Sequence, residues 1–313
     1  MTVSRKAQGH LLMLVVMTVF GLNIPINKFL YSSGLITPIA LVTIRMTFAA
    51  LAFWLISFFM PKEKVEKKDM LVLLVGGLTG MLLNQGFFAY GLGLTSPVDA
   101  SIITTSSPLF ALIIAAIILK EPITLKKAGG VLVGGIGAIF LIYASSTSIS
   151  VGQKSSISGD LAVMSAQFFY SFYLVITRPV SSKYSPITLM KWMFLFASLV
   201  AFPMFCTDVA EAPIFRVGEL VHYLSLLFVL LGATLLTYVL IPLAQRRIRA
   251  TTISMYNNVQ PLVASTIAII AGQDKFTVEK LFAAVLIFAG VYLVTTSKSK
   301  KDIEAEKASN NGD

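Results

Sequence analysis

The sequence predicts an all-α membrane protein of ten transmembrane helices, arranged as two inverted-topology five-helix repeats. Three observations carry this: a composition too apolar for water, ten apolar segments of bilayer length, and a second half that echoes the first. Of 313 residues, 56% are hydrophobic and 13% charged, and mean hydropathy is +0.82. A soluble domain carries roughly 25% charged residues. Half that load cannot cover a water-facing surface, so lipid is the solvent for most of this chain. Dividing its length by a bilayer span plus a short loop leaves no room for a separate soluble domain.

The apolar segments fall at about 10–30, 37–60, 70–92, 97–119, 125–145, 159–180, 186–207, 220–243, 250–271 and 276–297. Each is near the roughly 20 residues that a membrane-spanning helix needs. Helices are required because a lipid-exposed backbone must satisfy its own hydrogen bonds. A β-barrel would alternate polar and apolar residues, and runs such as Ala111–Leu119 and Leu226–Leu231 do not. Ser4-Arg5-Lys6 before an apolar run looks like a signal peptide. No small-residue cleavage site follows, and Asn23 and Asn27 continue the segment, so it reads as a retained first span.

Basic residues set the orientation. With the N-terminus in the cytoplasm, the cytoplasmic side holds Arg5, Lys6, Lys62, Lys64, Lys67, Lys68, Lys120, Lys126, Lys127, Arg178, Lys183, Arg246, Arg247, Arg249, Lys298, Lys300, Lys301 and Lys307. The other side holds Lys28, Lys154, Arg216, Lys275 and Lys280, while Arg45 and Lys191 lie inside spans. That asymmetry predicts both termini inside, in the cytoplasmic (plasma) membrane. It also accounts for the net charge of +10 without any nucleic-acid partner. The residues after Lys298 read as a disordered cytoplasmic tail.

Sliding Ser101 onto Ser254, an offset of 153, aligns the chain without a gap through Gly137 and Gly290. Pro108/Pro261, Leu109/Leu262, Ala111/Ala264, Ile114/Ile267, Thr124/Thr277 and Lys127/Lys280 match. Earlier in each half, Phe20 to Lys28 matches Tyr170 to Arg178, and Ser33/Pro38 matches Ser181/Pro186. Five helices is an odd number, so the second copy enters the membrane from the opposite side. The predicted division is residues 1–145 for the first repeat, 146–157 for an extracytoplasmic linker, 158–297 for the second repeat and 298–313 for the tail. Inverted repeats place a substrate site near the midplane, between the halves.

Several short patterns then acquire meaning together: Phe20-Gly21 with Lys28 ending the first span, Arg45 in the second, Asn84-Gln85 with Tyr90-Gly91-Leu92 in the third, Ser101 to Pro108 in the fourth, and Lys120-Glu121-Pro122 after it. In order and spacing these resemble the drug/metabolite transporter superfamily, and more narrowly its EamA-type members, over nearly the whole chain. The resemblance implies a central cavity lined mainly by helices 1–4 and 6–9, with helices 5 and 10 toward the periphery. It also implies export or exchange of a small organic molecule such as an amino acid, metabolite or drug-like compound.

Candidate substrate-binding residues are polar or aromatic groups inside those spans. Tyr256, Asn257 and Asn258 precede Pro261, and Thr104 precedes Pro108 at the equivalent place. Proline frees a carbonyl one turn earlier, which is tolerated in a membrane where neighbours or cavity water satisfy it. Asn23 and Asn27 share one face of the first span. Asn84 and Gln85 sit past the middle of the third, and Gln167 and Tyr170 lie in the sixth. Trp192 offers an aromatic wall. Lys191 and Arg45 are intramembrane charges, each open to a substrate role or to bonding helix ends and loop carbonyls. Lys191 joins the candidate set; for Arg45 the preferred reading is a charge that snorkels or bonds loop carbonyls and helix ends.

One cysteine, Cys206, excludes an internal disulfide. Two histidines, with no Cys/His cluster and no phosphate-binding Gly-x-x-x-x-Gly-Lys-Ser/Thr loop, predict no metal and no cofactor. The acids nearest membrane depth, Asp99, Asp160 and Glu279, sit at span edges, which predicts facilitated diffusion or exchange without a buried coupling carboxylate. A secondary carrier is the leading class, with efflux by alternating access. The alternatives are a polytopic membrane enzyme acting on a lipid or lipid-linked substrate, and a passive channel. Expected partners are a small-molecule substrate and membrane lipid, with the protein a monomer or homodimer.

Overall fold

The computed structural model describes residues 5–118, 120, 123–147, 149–150, 153–154, 156–245, 247, 256, 259–275 and 277–296. Its helices are α1 (Arg5–Ser32), α2 (Pro38–Phe58), α3 (Lys67–Leu94), α4 (Pro97–Ile118), α5 (Leu125–Thr147), α6 (Ile157–Ser181) and α7 (Pro186–Ala210). There follow α8 (Leu220–Leu227, running on through Phe228–Leu236 to Thr237–Gln245), α9 (Val259–Ile270) and α10 (Val278–Thr295). Among the described residues, eight helices are long and apolar enough to cross a membrane, and α9 is a shorter apolar helix of 12 residues. The structure adds two small features to the sequence reading. A hairpin pairs Ile149–Ser150 with Gln153–Lys154, and a one-turn helix, Ile214–Val217, precedes α8.

Local chemistry sets the helix starts. Thr37-Pro38, Ser96-Pro97 and Ser185-Pro186 each place a hydroxyl that accepts the amide hydrogen of the third residue on, with proline at the first helical position. Thr277 caps α10 through the Lys280 amide. Prolines and π-turns shape the interiors. α4 is interrupted at Thr105 and Ser106, ahead of Pro108, and α7 kinks at Phe205, two residues after Pro203. α3 and α8 both contain π-helical stretches, Gly77–Leu83 and Phe228–Leu236. They occupy corresponding places in the two halves, and π-bulges mark functional regions of helices.

The packing has the symmetry of the repeat. α2 packs on α7 and α5 on α10, each helix against its own counterpart. α3 and α4 both pack on α6, and their counterparts α8 and α9 both pack on α1. The α5–α10 contact is close because Gly130 and Gly290 face each other: a Cβ on Gly290 would lie 2.5 Å from the Gly130 carbonyl oxygen. Such small-residue contacts let helices approach where lipid offers no hydrophobic drive. Outward faces of this pair, with Leu132, Ile136, Ile139, Phe282 and Tyr292 exposed, are suited to lipid. The other helices enclose the polar interior.

Candidate functional site

Arg45 lies about 10 Å along α2 from its start. It is 7% exposed. Burying an arginine at the centre of a membrane helix costs about 2.5–3.5 kcal/mol even on insertion scales. Its Nε donates to Thr234 Oγ1 of α8 at 3.0 Å. Thr234 in turn donates to the Val229 carbonyl five residues back, inside the π-helical stretch, so the irregular turn aims this hydroxyl. Tyr31 of α1 and Tyr238 of α8 stand within electrostatic reach of the guanidinium. No loop carbonyl accepts from Arg45 among the described residues, which replaces the sequence expectation of a charge satisfied at a helix end.

Gln85 of α3 completes the cluster. Its Nε2 donates to the Tyr238 hydroxyl at 3.3 Å across 153 residues, the same offset that relates Ser101 to Ser254. The two side chains therefore meet across the pseudo-two-fold axis. An aromatic wall continues from Tyr238: Phe194 of α7 meets it edge-on at 5.1 Å, and Tyr170 and Tyr173 of α6 lie 6.0 Å apart beside it. Helices of both repeats thus converge on a surface of one guanidinium, tyrosine rings and an amide.

The remaining candidates are placed as follows. Asn23 and Asn27 are buried in α1, and their Oδ1 atoms, like Gln85 Oε1, have no hydrogen-bond partner among the described residues. Gln167 is buried one turn from Tyr170. Asn84 donates to the Ala166 carbonyl at 2.8 Å, joining α3 to α6. Thr104, Thr105 and Ser106 donate to the carbonyls three residues back, so these hydroxyls serve the α4 break itself. Lys191 Nζ stands 4.9 Å over the Trp54 ring, and Trp192 meets that ring edge-on at 5.3 Å, both within the α2–α7 contact. Tyr256 pairs with His10 Nδ1 at 2.9 Å, beside the first turns of α1. Asn257 and Asn258 lie outside the described residues.

A second polar cluster was not visible in the sequence. Asp99 and Asp160 are 0% exposed and Asp274 is 2% exposed. Lys280 Nζ donates to Asp274 Oδ1 and Oδ2 at 2.9 and 3.0 Å, pairs with Asp99 at 3.2 Å, and donates to Ser96 Oγ at 3.2 Å. Thr95 donates to Asp160, while its own carbonyl and those of Leu92 and Gly93 accept from Lys28 Nζ. These acids do sit at helix starts and loops, as the spans require, but loop packing hides them from solvent. Asp99 and Asp160, expected at span edges, are at those edges but buried, in ion-pair and hydrogen-bond contacts. The available signal was the Ser96-Pro97-x-Asp99 and Thr277-x-x-Lys280 spacing, which sets each charge in the first turn of a capped helix, where Asp99 meets its own cap and Lys280 reaches Ser96, the cap of the other.

A polytopic helical bundle with a polar interior shared by two symmetric halves defines a class, the integral membrane transporters built from repeats. The chain belongs to the EamA-like transporter family, which matches residues 7–143 and 157–296. It is 27% identical to a WAT1-related protein of Arabidopsis thaliana, over 95% of this chain and 88% of that one. It is 24% identical to an uncharacterized transporter of Archaeoglobus fulgidus over 86% and 92%, and 21% identical to the uncharacterized transporter YetK of Bacillus subtilis over 96% and 90%. A solved crystal structure superposes with a TM-score of 0.60 at 17% identity, covering 94% of this chain and 99% of that one, and shares the fold. Family and relatives indicate a membrane transporter rather than an enzyme.

Proposed function

We propose that the protein is a secondary transporter that moves a small organic molecule out of the cytoplasm by alternating access. One observation carries the reading: Arg45–Thr234 and Gln85–Tyr238 join helices of opposite halves across a surface whose polar groups are only partly satisfied. Groups so placed can bind a solute between halves that rock about it. The site draws on Asn23, Asn27, Asn84, Gln85, Gln167 and Tyr170, and on Tyr256, Asn257 and Asn258, which precede Pro261 in the sequence. Residues 1–145 and 158–297 act as the two rocking units, with both termini on the cytoplasmic side of the plasma membrane.

The test is a metabolite-wide comparison of medium and cytosol between cells with and without the protein, followed by counterflow into proteoliposomes. A compound that accumulates outside producing cells and exchanges across the liposome membrane supports the proposal. Continuous conductance without saturation would make the protein a channel instead. Covalent change of an added lipid by the purified protein would make it an enzyme.

A further inference from the structure

Buried cations in this chain can be compared by what answers their charge. Lys28 gives its ammonium to three carbonyl oxygens at 2.8–3.1 Å. Lys280 meets two carboxylates and a hydroxyl. Arg45, equally buried, donates through Nε to a single neutral hydroxyl, and its two Nη groups make no hydrogen bond to the described residues. No carboxylate of the described residues lies within ion-pair distance of it. A guanidinium offers a planar fork of donors matched to two oxygens of an oxyanion. With Nε held by Thr234, the outer edge of that fork is left for something else.

The surroundings define what that is. Tyr31 and Tyr238 stand within electrostatic reach of the guanidinium, and Tyr238, which accepts from Gln85, retains its own hydroxyl proton to donate. Phe194, Tyr170 and Tyr173 extend an aromatic surface from there. Among the described residues the cluster contains a single full positive charge. A monoanion is neutralised by it, whereas a phosphate dianion would bring one buried negative charge too many.

Resting on the transporter reading above, we propose that Arg45 anchors the carboxylate of the transported molecule, whose apolar or aromatic body lies along Tyr31, Tyr238, Phe194 and Tyr170. The substrate class is thus a monocarboxylate with an apolar body. Without a carboxylate the arginine stays unanswered, and binding is weak.

The test uses the full-length protein in proteoliposomes and 3-phenylpropionate, hexanoate and benzoate as probes, each against its uncharged amide, with phenyl phosphate as the dianion control. At least one carboxylate should exchange saturably and raise the denaturation temperature, while its amide and phenyl phosphate do neither. Arg45→Met should weaken that carboxylate about 10- to 100-fold, the range for hydrogen bonds to charged groups, and Arg45→Lys should recover part of it. If Arg45→Met does not fold, the wild-type comparison of acid and amide decides alone. Equal handling of acid and amide, preference for phenyl phosphate, or undiminished carboxylate exchange by a folded Arg45→Met would overturn the proposal. Saturable exchange of neutral or cationic metabolites, with the carboxylates inert, would overturn it and leave the transporter reading standing. Exchange of no compound of any charge would overturn both.

Discussion

Replacing Lys280 by methionine should be among the most damaging single changes in the molecule. The side chains are close in length and volume, so little cavity is left, and the effect isolates the charge. Lys280 and its partners Asp99 and Asp274 have side chains 2%, 0% and 0% exposed. Removing one member of a buried pair costs about 3–5 kcal/mol, because the remaining charge stays out of water. Here two carboxylates lose one cation. Both keep some donors: Ser96 Oγ at 2.7 Å for Asp99, and the amides of Lys275 at 2.7 Å and Val98 at 3.3 Å for Asp274. Those bonds should hold the loss near the lower figure, about 3 kcal/mol, or roughly 150-fold in the folding equilibrium. The assay is detergent-driven unfolding in mixed micelles, read by the fluorescence of Trp54 and Trp192. Lys280→Met combined with Asp99→Asn and Asp274→Asn should regain most of the loss, since neither carboxylate is then left charged without the cation it pairs with. A single variant within about 0.5 kcal/mol of wild type, or a triple variant no better than the single, would refute the assignment.

Three further outcomes follow from the same geometry. Gly290→Ala should cost about 1–3 kcal/mol in that assay, because its Cβ would meet the Gly130 carbonyl and the Gly134 amide at 2.5 Å and force α5 and α10 apart; Gly135→Ala, with open space around its Cβ, should be near neutral. Burial pushes the Glu63 carboxyl up, but hydrogen bonds from Thr188 and Ser185 and the charge of Lys191 outweigh it and hold the group below its ordinary 4.5. Such a group contributes stability above the unfolded value and loses it as pH falls through the lower folded value. Glu63→Gln should therefore flatten the acid side of the stability profile below pH 4.5, with an effect at pH 7 under about 1 kcal/mol. In a Cys206→Ser background, Lys64→Cys should label only from the cytoplasm and Arg216→Cys only from outside; the reverse pattern would overturn the proposed orientation.

The fold was legible because lipid imposes a simple rule, about 20 apolar residues per span, and because the repeat survives in Ser, Pro, Gly and Lys positions. The candidate site was only partly legible. Arg45 and Lys191 look alike in sequence, each a basic residue inside a span. What separates them is a neighbour: Thr234, 189 residues from Arg45, against the Trp54 ring under Lys191. The π-helical stretch that aims Thr234 has no residue signature, and neither does the hydrogen bond of Gln85 to its own counterpart, Tyr238. The acids misled for a different reason. Depth along a helix predicts solvation only where nothing covers the end, and here Asp99, Asp160 and Asp274 are roofed by the loops they begin or end.

Besides the central contacts of Arg45, Asn84 and Gln85, polar contacts between the halves lie at both ends of α3, a helix of 28 residues and about 40 Å. At its first turn, Asp69 accepts from Lys183 and Tyr184, and Glu63 accepts from the Ser185 amide and hydroxyl, tying the α2–α3 loop to the α6–α7 loop. The pseudo-symmetric counterpart, between the α1–α2 and α7–α8 loops, is built differently: one backbone bond from the Ile214 amide to the Leu35 carbonyl, Phe29 stacked on His222, and an apolar cluster around Ile36 and Leu226. Beyond the other end of α3, Lys280 joins Asp99 to Asp274, and Thr95 joins Lys28 to Asp160. One loop-to-loop tie is thus partly exposed and ionic, while its symmetric partner is largely apolar. Water entering the first can solvate its charges as they part, but nothing comparable compensates opening the second. Equivalent sequence positions therefore do not make energetically equivalent contacts. Two copies of one unit acquire different energetics on the two sides through such differences, and in this chain they lie in the loops rather than in the spans that carry the repeat.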